Sequence, residues 1–221
     1  MLEIATTKKE KLSRHLRNCL NNDLPGLLSH KEMAPLNREM EFDHSSSARE
    51  SAVLIALYPH NFLWHLCFIR RPEYDGIHSG QISLPGGGRE HYDSNITATA
   101  IREANEEVNI NPEKIEILGS LSPIYIPPSN YIVTPVVGIL EEQPDFIPQP
   151  DEVAEIIEIP IQDFNKPGIV QNKTFYGGTF REIKAPCFKI NNTIIWGATA
   201  MILNEFFNVL KKLNNKKEFY Q

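Results

Sequence analysis

The sequence predicts an α/β fold with a mixed β-sheet flanked by helices, and three observations carry that prediction. Helical periodicity recurs at the start, middle and end of the chain; short apolar runs bounded by turn residues fill the space between; and the two kinds of segment do not alternate in a regular β-α-β rhythm. With 221 residues, 41% of them apolar and 23% charged, one well-filled domain is expected.

Taken in order, residues 5–22 read as a helix with Leu12, Leu16 and Leu20 on one face, stopped by Asn21, Asn22 and Pro25. Residues 23–48 read as irregular and end in the polar run Asp43-His44-Ser45-Ser46-Ser47. Residues 1–48 are therefore taken as an N-terminal helix and arm packed on a domain of residues 49–221. Apolar runs at 52–58 and 64–70 flank a Pro-His-Asn turn, a hairpin or adjacent-strand signal. A short strand at 81–84 leads into Pro85-Gly86-Gly87-Gly88, and 97–108 is an acidic helix. Strands follow at 115–126 and 132–140 on either side of Pro127-Pro128-Ser129-Asn130, then at 153–159 beyond a proline-rich loop. Residues 188–190 and 194–196 pair around Asn191-Asn192, and a helix from 198 to 213 closes the chain with Ile202, Phe206, Val209 and Leu213 in one stripe.

A net charge of −6 argues against nucleic-acid binding through a broad basic surface, which relies on Lys and Arg neutralising many phosphates. An acidic enzyme still accepts a phosphorylated substrate when metal ions supply positive charge locally. Cys19, Cys67 and Cys187 are far apart and odd in number, so neither a disulfide framework nor a zinc site is indicated, and a reducing compartment is the default. The first residues, MLEIATTKKEKLSRHL, are polar and read as no leader segment, and no run of about eighteen apolar residues occurs. The expectation is a cytoplasmic protein with no membrane partner, a homodimer being the assembly allowed for.

The most informative feature is the trio Glu103, Glu106 and Glu107, about fifteen residues after the glycines. At about 3.6 residues per turn the three carboxylates share one face of a helix, with Ala98, Ile101, Ala104 and Val108 near the opposite one. Like charges at these spacings destabilise a helix by a few tenths of a kcal/mol per pair, unless something cationic sits there. Magnesium or manganese suits such a site, because hard divalent ions take carboxylate oxygens and share their remaining positions with water and substrate phosphates. Read alone, a glutamate run is equally a solvated helix face. The preceding glycines shift the balance, since they let backbone approach a ligand closely.

Residues 84–110, LPGGGREHYDSNITATAIREANEEVNI, resemble the Nudix box, whose general form is G, five residues, E, seven residues, R-E-U-x-E-E-x-G-U with U bulky and apolar. Arg102, Glu103, Glu106, Glu107 and Ile110 stand at the R, E, E, E and final U. Asp93 replaces the earlier Glu, Arg102 arrives one residue late, Ala104 is a small first U, and Asn109 replaces the late Gly. Asn tolerates the left-handed conformation a helix end needs, so that exchange is mild. The segment before the box, FIRRPEYDGIHSGQISLPGG, is similar to the coenzyme A pyrophosphatase branch at Arg71, His78, Gly80 and the glycines, while Gly76 stands where that branch has a second Arg and Leu84 where it has Phe. Segments 127–138, 151–161 and 194–203 extend the likeness over roughly residues 50 to 205.

The resemblance implies a Nudix-type α/β/α sandwich and a pyrophosphatase that uses Mg2+ or Mn2+. It implies Glu103, Glu106, Glu107 and the Gly86 carbonyl as metal ligands, and Arg102 as a residue that orients a box glutamate. The general base commonly comes from outside the box, and Glu152 or Glu155 is the candidate; a solvated carboxylate is the plainer reading of either one singly. For substrate contact the candidates are Arg71, His78, Gly87, Ser129 and Tyr131. A guanidinium suits phosphate oxygens, but a surface Arg, a core-edge His, a turn Ser and an edge Tyr account for the same residues. Trp196 is either core or a platform for adenine. The function expected is hydrolysis of the pyrophosphate of coenzyme A or acyl-CoA to 3′,5′-ADP and 4′-phosphopantetheine or its acyl form. One alternative is a Nudix pyrophosphatase acting on ADP-ribose or another nucleoside diphosphate derivative, kept open by Gly76. Another is a non-catalytic nucleotide-binding sensor, against which three mutually repelling carboxylates argue.

Overall fold

In the computed structural model, which describes residues 2–36, 47–73, 75, 78–176 and 182–212, the chain runs in order α1 (Leu2–Leu20), α2 (Leu27–Glu32), β1 (Arg49–His60), β2 (Leu63–Arg70), β3 (Ile82–Ser83), β4 (Gly86–Gly88) and α3 (Ile96–Val108). It continues through β5 (Glu116–Ser120), β6 (Ile124–Ile126), β7 (Tyr131–Ile139), β8 (Glu155–Pro160), a 3₁₀ turn (Ile161–Asn165), β9 (Val170–Tyr176), β10 (Glu182–Ile190), β11 (Thr193–Trp196) and α4 (Gly197–Lys211). Gly76, Asp43 to Ser46 and Leu213 lie outside the described residues.

The long strand β1 is the rail on which the main sheet is built. It pairs antiparallel with β2 and β4 and parallel with β7, in register from Arg49 opposite Tyr131 to Leu57 opposite Ile139. The remaining pairs are antiparallel: β3 and β8 on β2, and β5 and β6 on β7. The sheet is mixed, as expected from the irregular order of helices and strands. A second sheet of order β11-β10-β9 stands beside it.

Alternation along β1 divides the core in two. Leu54, Ala56 and Tyr58 pack with Ala100, Ala104 and Val108 of α3 on one face. Ile55 and Leu57 pack on the other with Leu12 and Leu16 of α1 and with Met201, Phe206 and Leu210 of α4. Helices thus cover both faces, and the fold is an α/β/α sandwich. Leu12 and Leu16 are fully buried, each worth about 1.5–3 kcal/mol, so the N-terminal helix is part of the core.

Several elements differ from the sequence expectation. Residues 23–48 contain the short helix α2, which spans too few residues to show a period. The single strand expected at 115–126 is broken: the register shifts between Ile117 and Gly119, and Pro123 cannot donate to a ladder. β9 was not expected, because VQNKTFY is a mostly exposed edge strand without an apolar face. The glycines form not a loop but a strand, β4, hydrogen-bonded along the start of β1. Among the described residues no helix is long and apolar enough to cross a membrane. All three cysteines are free.

Candidate metal centre

The helix α3 is fixed at both ends by asparagines. The Asn95 side chain accepts the Ala98 amide at 2.9 Å as the N-cap, and Asn109 ends the helix in the left-handed region at φ 60°. At about 100° per residue, Ala100, Ala104 and Val108 define the buried stripe; Glu107 lies nearest to it, Glu103 next, and Glu106 on the far side of Glu103. Exposure follows that order: Glu107 is 2% exposed as a residue, whereas the side chains of Glu103 and Glu106 are 13% and 55% exposed. The three glutamates are therefore not equivalent on one solvated face, as the spacing alone suggests. They run from the core to the rim.

Arg102 is the organiser of this face. Its Nε and Nη2 donate to the two oxygens of Asp93 at 2.9 and 3.0 Å, Nη2 also reaches the Gly88 carbonyl at 3.0 Å, and Nη1 donates to Glu103 at 2.7 Å and Glu106 at 3.0 Å. The planar fork makes such a five-way clamp possible, and a Lys would not reproduce it. Asp93 is itself buried and accepts the Glu90 amide and the Thr99 hydroxyl, each at 2.9 Å. Hydrogen bonding from Arg102 holds the Asp93 carboxyl well below the usual carboxylate range. The extra residue between Asp93 and Arg102 is absorbed before the helix, which starts only at Ile96.

The glycine strand brings backbone against these acids. The Gly86 amide donates to Glu107 Oε2 at 2.8 Å, and a Cβ on Gly86 would lie 2.2 Å from the Ala52 carbonyl oxygen. At Gly87 a Cβ would fall 2.4 Å from Glu103 Oε2, so any side chain there would displace the carboxylate. Across the site comes Glu152, from the turn before β8. Oxygen atoms of Glu103, Glu107 and Glu152 all lie within 4.8 Å of one another. Burial pushes the Glu107 carboxyl up to about 8, against the Gly86 amide and the charge of Arg71, with Glu103 and Glu152 adding to the rise. Burial raises Glu103 as well, opposed by Arg102. Three converging carboxylates, two of them reluctant to ionise, form a donor set suited to a hard divalent cation, which would favour their charged forms.

The other candidates sort by position. Arg71 sits close enough to Glu107 to pull its pKa down. His78 Nδ1 is 2.9 Å from Gln81 Oε1, and His78 has φ 72°. Tyr131 lies beside the glycine strand, its hydroxyl 3.2 Å from where a Gly88 Cβ would be, and Ser129 forms the turn before it. Glu155 is elsewhere: its carboxylate pairs with Arg70 at 2.7 Å. Of the two candidates for the base, the structure brings Glu152 to the acidic face and leaves Glu155 out of it. Glu106 borders the cluster without joining it. One face of Trp196 is taken by Phe175, with the rings 4.1 Å apart and 4° from parallel.

Sequence reasoning missed a second buried glutamate. Glu205 of α4 is fully buried and accepts the Gly26 amide at 2.9 Å and the Ser122 hydroxyl at 2.6 Å, with His30 Nε2 2.9 Å away. A lone Glu inside an otherwise apolar helical stripe was the available signal.

Comparison with known proteins gives the family. A model of the NUDIX domain matches residues 48–176. The uncharacterized Nudix hydrolase NudL of Pectobacterium atrosepticum is 42% identical over 115 residues, 52% of this chain and 59% of that protein. The mouse peroxisomal coenzyme A diphosphatase NUDT7 is 33% identical over 162 residues, 73% of this chain and 66% of that protein. In each case the match spans less than two thirds of the relative's length. Among solved structures, a MutT/nudix family protein from Enterococcus faecalis superposes with a TM-score of 0.51 at 16% identity, covering 81% of this chain and 68% of that one, a likeness of fold.

Proposed function

This chain belongs to the Nudix family of pyrophosphatases, and from that premise we propose that it hydrolyses the pyrophosphate of coenzyme A or an acyl-CoA to 3′,5′-ADP and 4′-phosphopantetheine or its acyl form. The observation that carries the reading is the convergence of Glu103, Glu107 and Glu152 at the glycine strand. Similarity to the mouse coenzyme A diphosphatase supports the choice of substrate.

Glu103, Glu107 and Glu152 would hold Mg2+ or Mn2+, with Glu106 and the Gly86 carbonyl completing the set. A divalent cation there supplies charge neutralisation at the phosphate oxygens and lowers the pKa of water. Arg102 holds Glu103 in place, and the Gly86 amide on Glu107 Oε2 leaves that residue's other oxygen free to turn toward the site. Glu152, the most exposed member of the cluster, is our choice to accept the proton of the attacking water. Arg71 contacts the phosphates, and Gly87, with no side chain, lets them approach the strand, while His78, Ser129 and Tyr131 line the approach. Three unpaired cysteines fit a cytoplasmic setting.

The test is a turnover screen of phosphoanhydrides with magnesium or manganese, with product analysis. Equal amounts of 3′,5′-ADP and 4′-phosphopantetheine from CoA are expected. A kcat/KM for ADP-ribose well above that for CoA would overturn the substrate assignment and turn attention to Gly76, where an Arg stands in the CoA branch.

A further inference from the structure

We infer that Arg49, laid flat on the ring of Tyr131, takes a terminal phosphate monoester of the substrate, on the face of the sheet opposite the carboxylates. The inference rests on the coenzyme A reading above, since it assigns the phosphate that sits one ribose away from the pyrophosphate to be cleaved.

The geometry begins with the bare strand β4. Gly87 pairs with Ala52, whose side chain packs against the α3 core, and the Gly87 position faces Glu103. The next residue, Gly88, pairs with Ser51 and faces the other way, toward the Tyr131 hydroxyl. One strand of glycine therefore separates the acidic cluster from Tyr131. A ligand can cross it because nothing projects from it, and among the described residues β4 is paired on one side only, by β1. The pyrophosphate and a second phosphate on the same nucleotide would thus straddle the edge of the sheet.

Arg49 is built into that second position. It opens β1 directly opposite Tyr131, which opens β7, and its guanidinium carbon lies 4.1 Å from the centre of the Tyr131 ring. Its Nη2 points to the Ser129 carbonyl at 3.4 Å, and its own amide donates to the Asn130 carbonyl at 3.0 Å. The turn carrying those carbonyls is pinned in its left-handed residue: Asn130, at φ 54°, accepts the Tyr125 hydroxyl at 2.9 Å and donates to the Ser47 carbonyl at 3.2 Å. With one flat face on the ring and one edge on a carbonyl, the exposed guanidinium keeps most of its five N–H donors free in a fixed plane, a pattern that matches two oxygens of a phosphate.

Three neighbouring arginines are already engaged, and Arg71 is assigned above to the pyrophosphate. Arg89 pairs with Glu50 at 2.6 Å, Arg70 with Glu155 at 2.7 Å, and Arg102 with three carboxylates. Among the described residues Arg49 has no such carboxylate, and it is the cation that lies against the Gly88 side of the strand by way of Tyr131.

The experiment compares 3′,5′-ADP with 5′-AMP, which differ by the phosphate in question, by calorimetric titration of the full chain. Wild type should bind 3′,5′-ADP at least about tenfold more tightly, and Arg49→Gln should bring the two within about twofold of each other by weakening 3′,5′-ADP alone. Tyr131→Leu, which removes the platform, should lose the discrimination, whereas Tyr131→Phe should keep it. Equal affinities in wild type, or an equal loss for both nucleotides in Arg49→Gln, would overturn the inference. Failure to cleave CoA would sink the proposed function instead, and the titration reads independently of turnover.

Discussion

Two helices each bury a glutamate, and they treat it in opposite ways. Glu205 of α4 is surrounded by donors: the Gly26 and Ser122 amides, the Ser122 hydroxyl and the His30 ring. Glu107 of α3, nearly as buried, has the Gly86 amide on one oxygen, and the cluster around it adds two further carboxylates. A carboxylate satisfied by its own chain ties elements together, here α2 and the β5–β6 connection to α4. A carboxylate left short of donors among its own kind is unstable as it stands, and a divalent cation is its simplest completion.

The sharpest way to break this contrast is to remove the satisfied acid. Glu205→Ala strands the Gly26 and Ser122 amides, the Ser122 hydroxyl and the His30 ring, and should cost about 3 kcal/mol or more of stability, read as a lowered urea midpoint. Its kcat below the melting range should stay near that of wild type. A stable Glu205→Ala protein with impaired turnover would reverse the roles assigned here.

The unsatisfied acid should behave the other way. Glu107→Gln, Glu103→Gln and Glu152→Gln should each lower kcat by about a hundredfold or more, comparable to losing a principal electrostatic stabiliser, with the fold intact by circular dichroism. Glu106→Gln, from the rim, should lower it less, and Glu155→Gln should leave it within about twofold. Near-normal turnover of Glu152→Gln at saturating magnesium would remove that residue from the site.

A smaller effect sharpens the same point through pH. The Glu107 carboxyl is raised to about 8 in the folded chain from an ordinary 4.5, so its contribution to stability is fully present below about 4.5 and is lost as pH rises through about 8. In the presence of a chelator the unfolding free energy should therefore fall between pH 5 and pH 8.5 by an amount on the order of a few kcal/mol, read as a lowered melting temperature. Glu107→Gln should lose that slope, and saturating magnesium should flatten it in wild type.

What the sequence discloses follows from how local the relevant physics is. The period of α3, its acidic residues and the glycines before it lie within one short stretch, so spacing and turn chemistry expose them. Which glutamate faces inward depends on where the apolar stripe of Ala100, Ala104 and Val108 meets the sheet, and three equal-looking acids become unequal only then. Glu152 joins from beyond β7, at a distance no spacing rule spans. Glu205 escaped notice because its donors come from Gly26, His30 and Ser122, none of them near it in the chain. Short or exposed pieces such as α2 and β9 carry too little apolar pattern to be read.

The reach to Glu152 also bears on how a newly made chain acquires its site. Gly86, Glu103 and Glu107 emerge early, but the third carboxylate arrives only after β7 has closed in parallel on β1 and the segment leading into β8 has docked on β2. Those are pairings between distant parts of the chain, the slow part of assembling such a topology. A half-made chain thus carries the glutamates of α3, which repel one another, without Glu152 to close the cluster. Tight ion uptake would then mark the end of folding rather than its beginning, and stopped-flow refolding with a fluorescent metal reporter should show binding in the slowest phase.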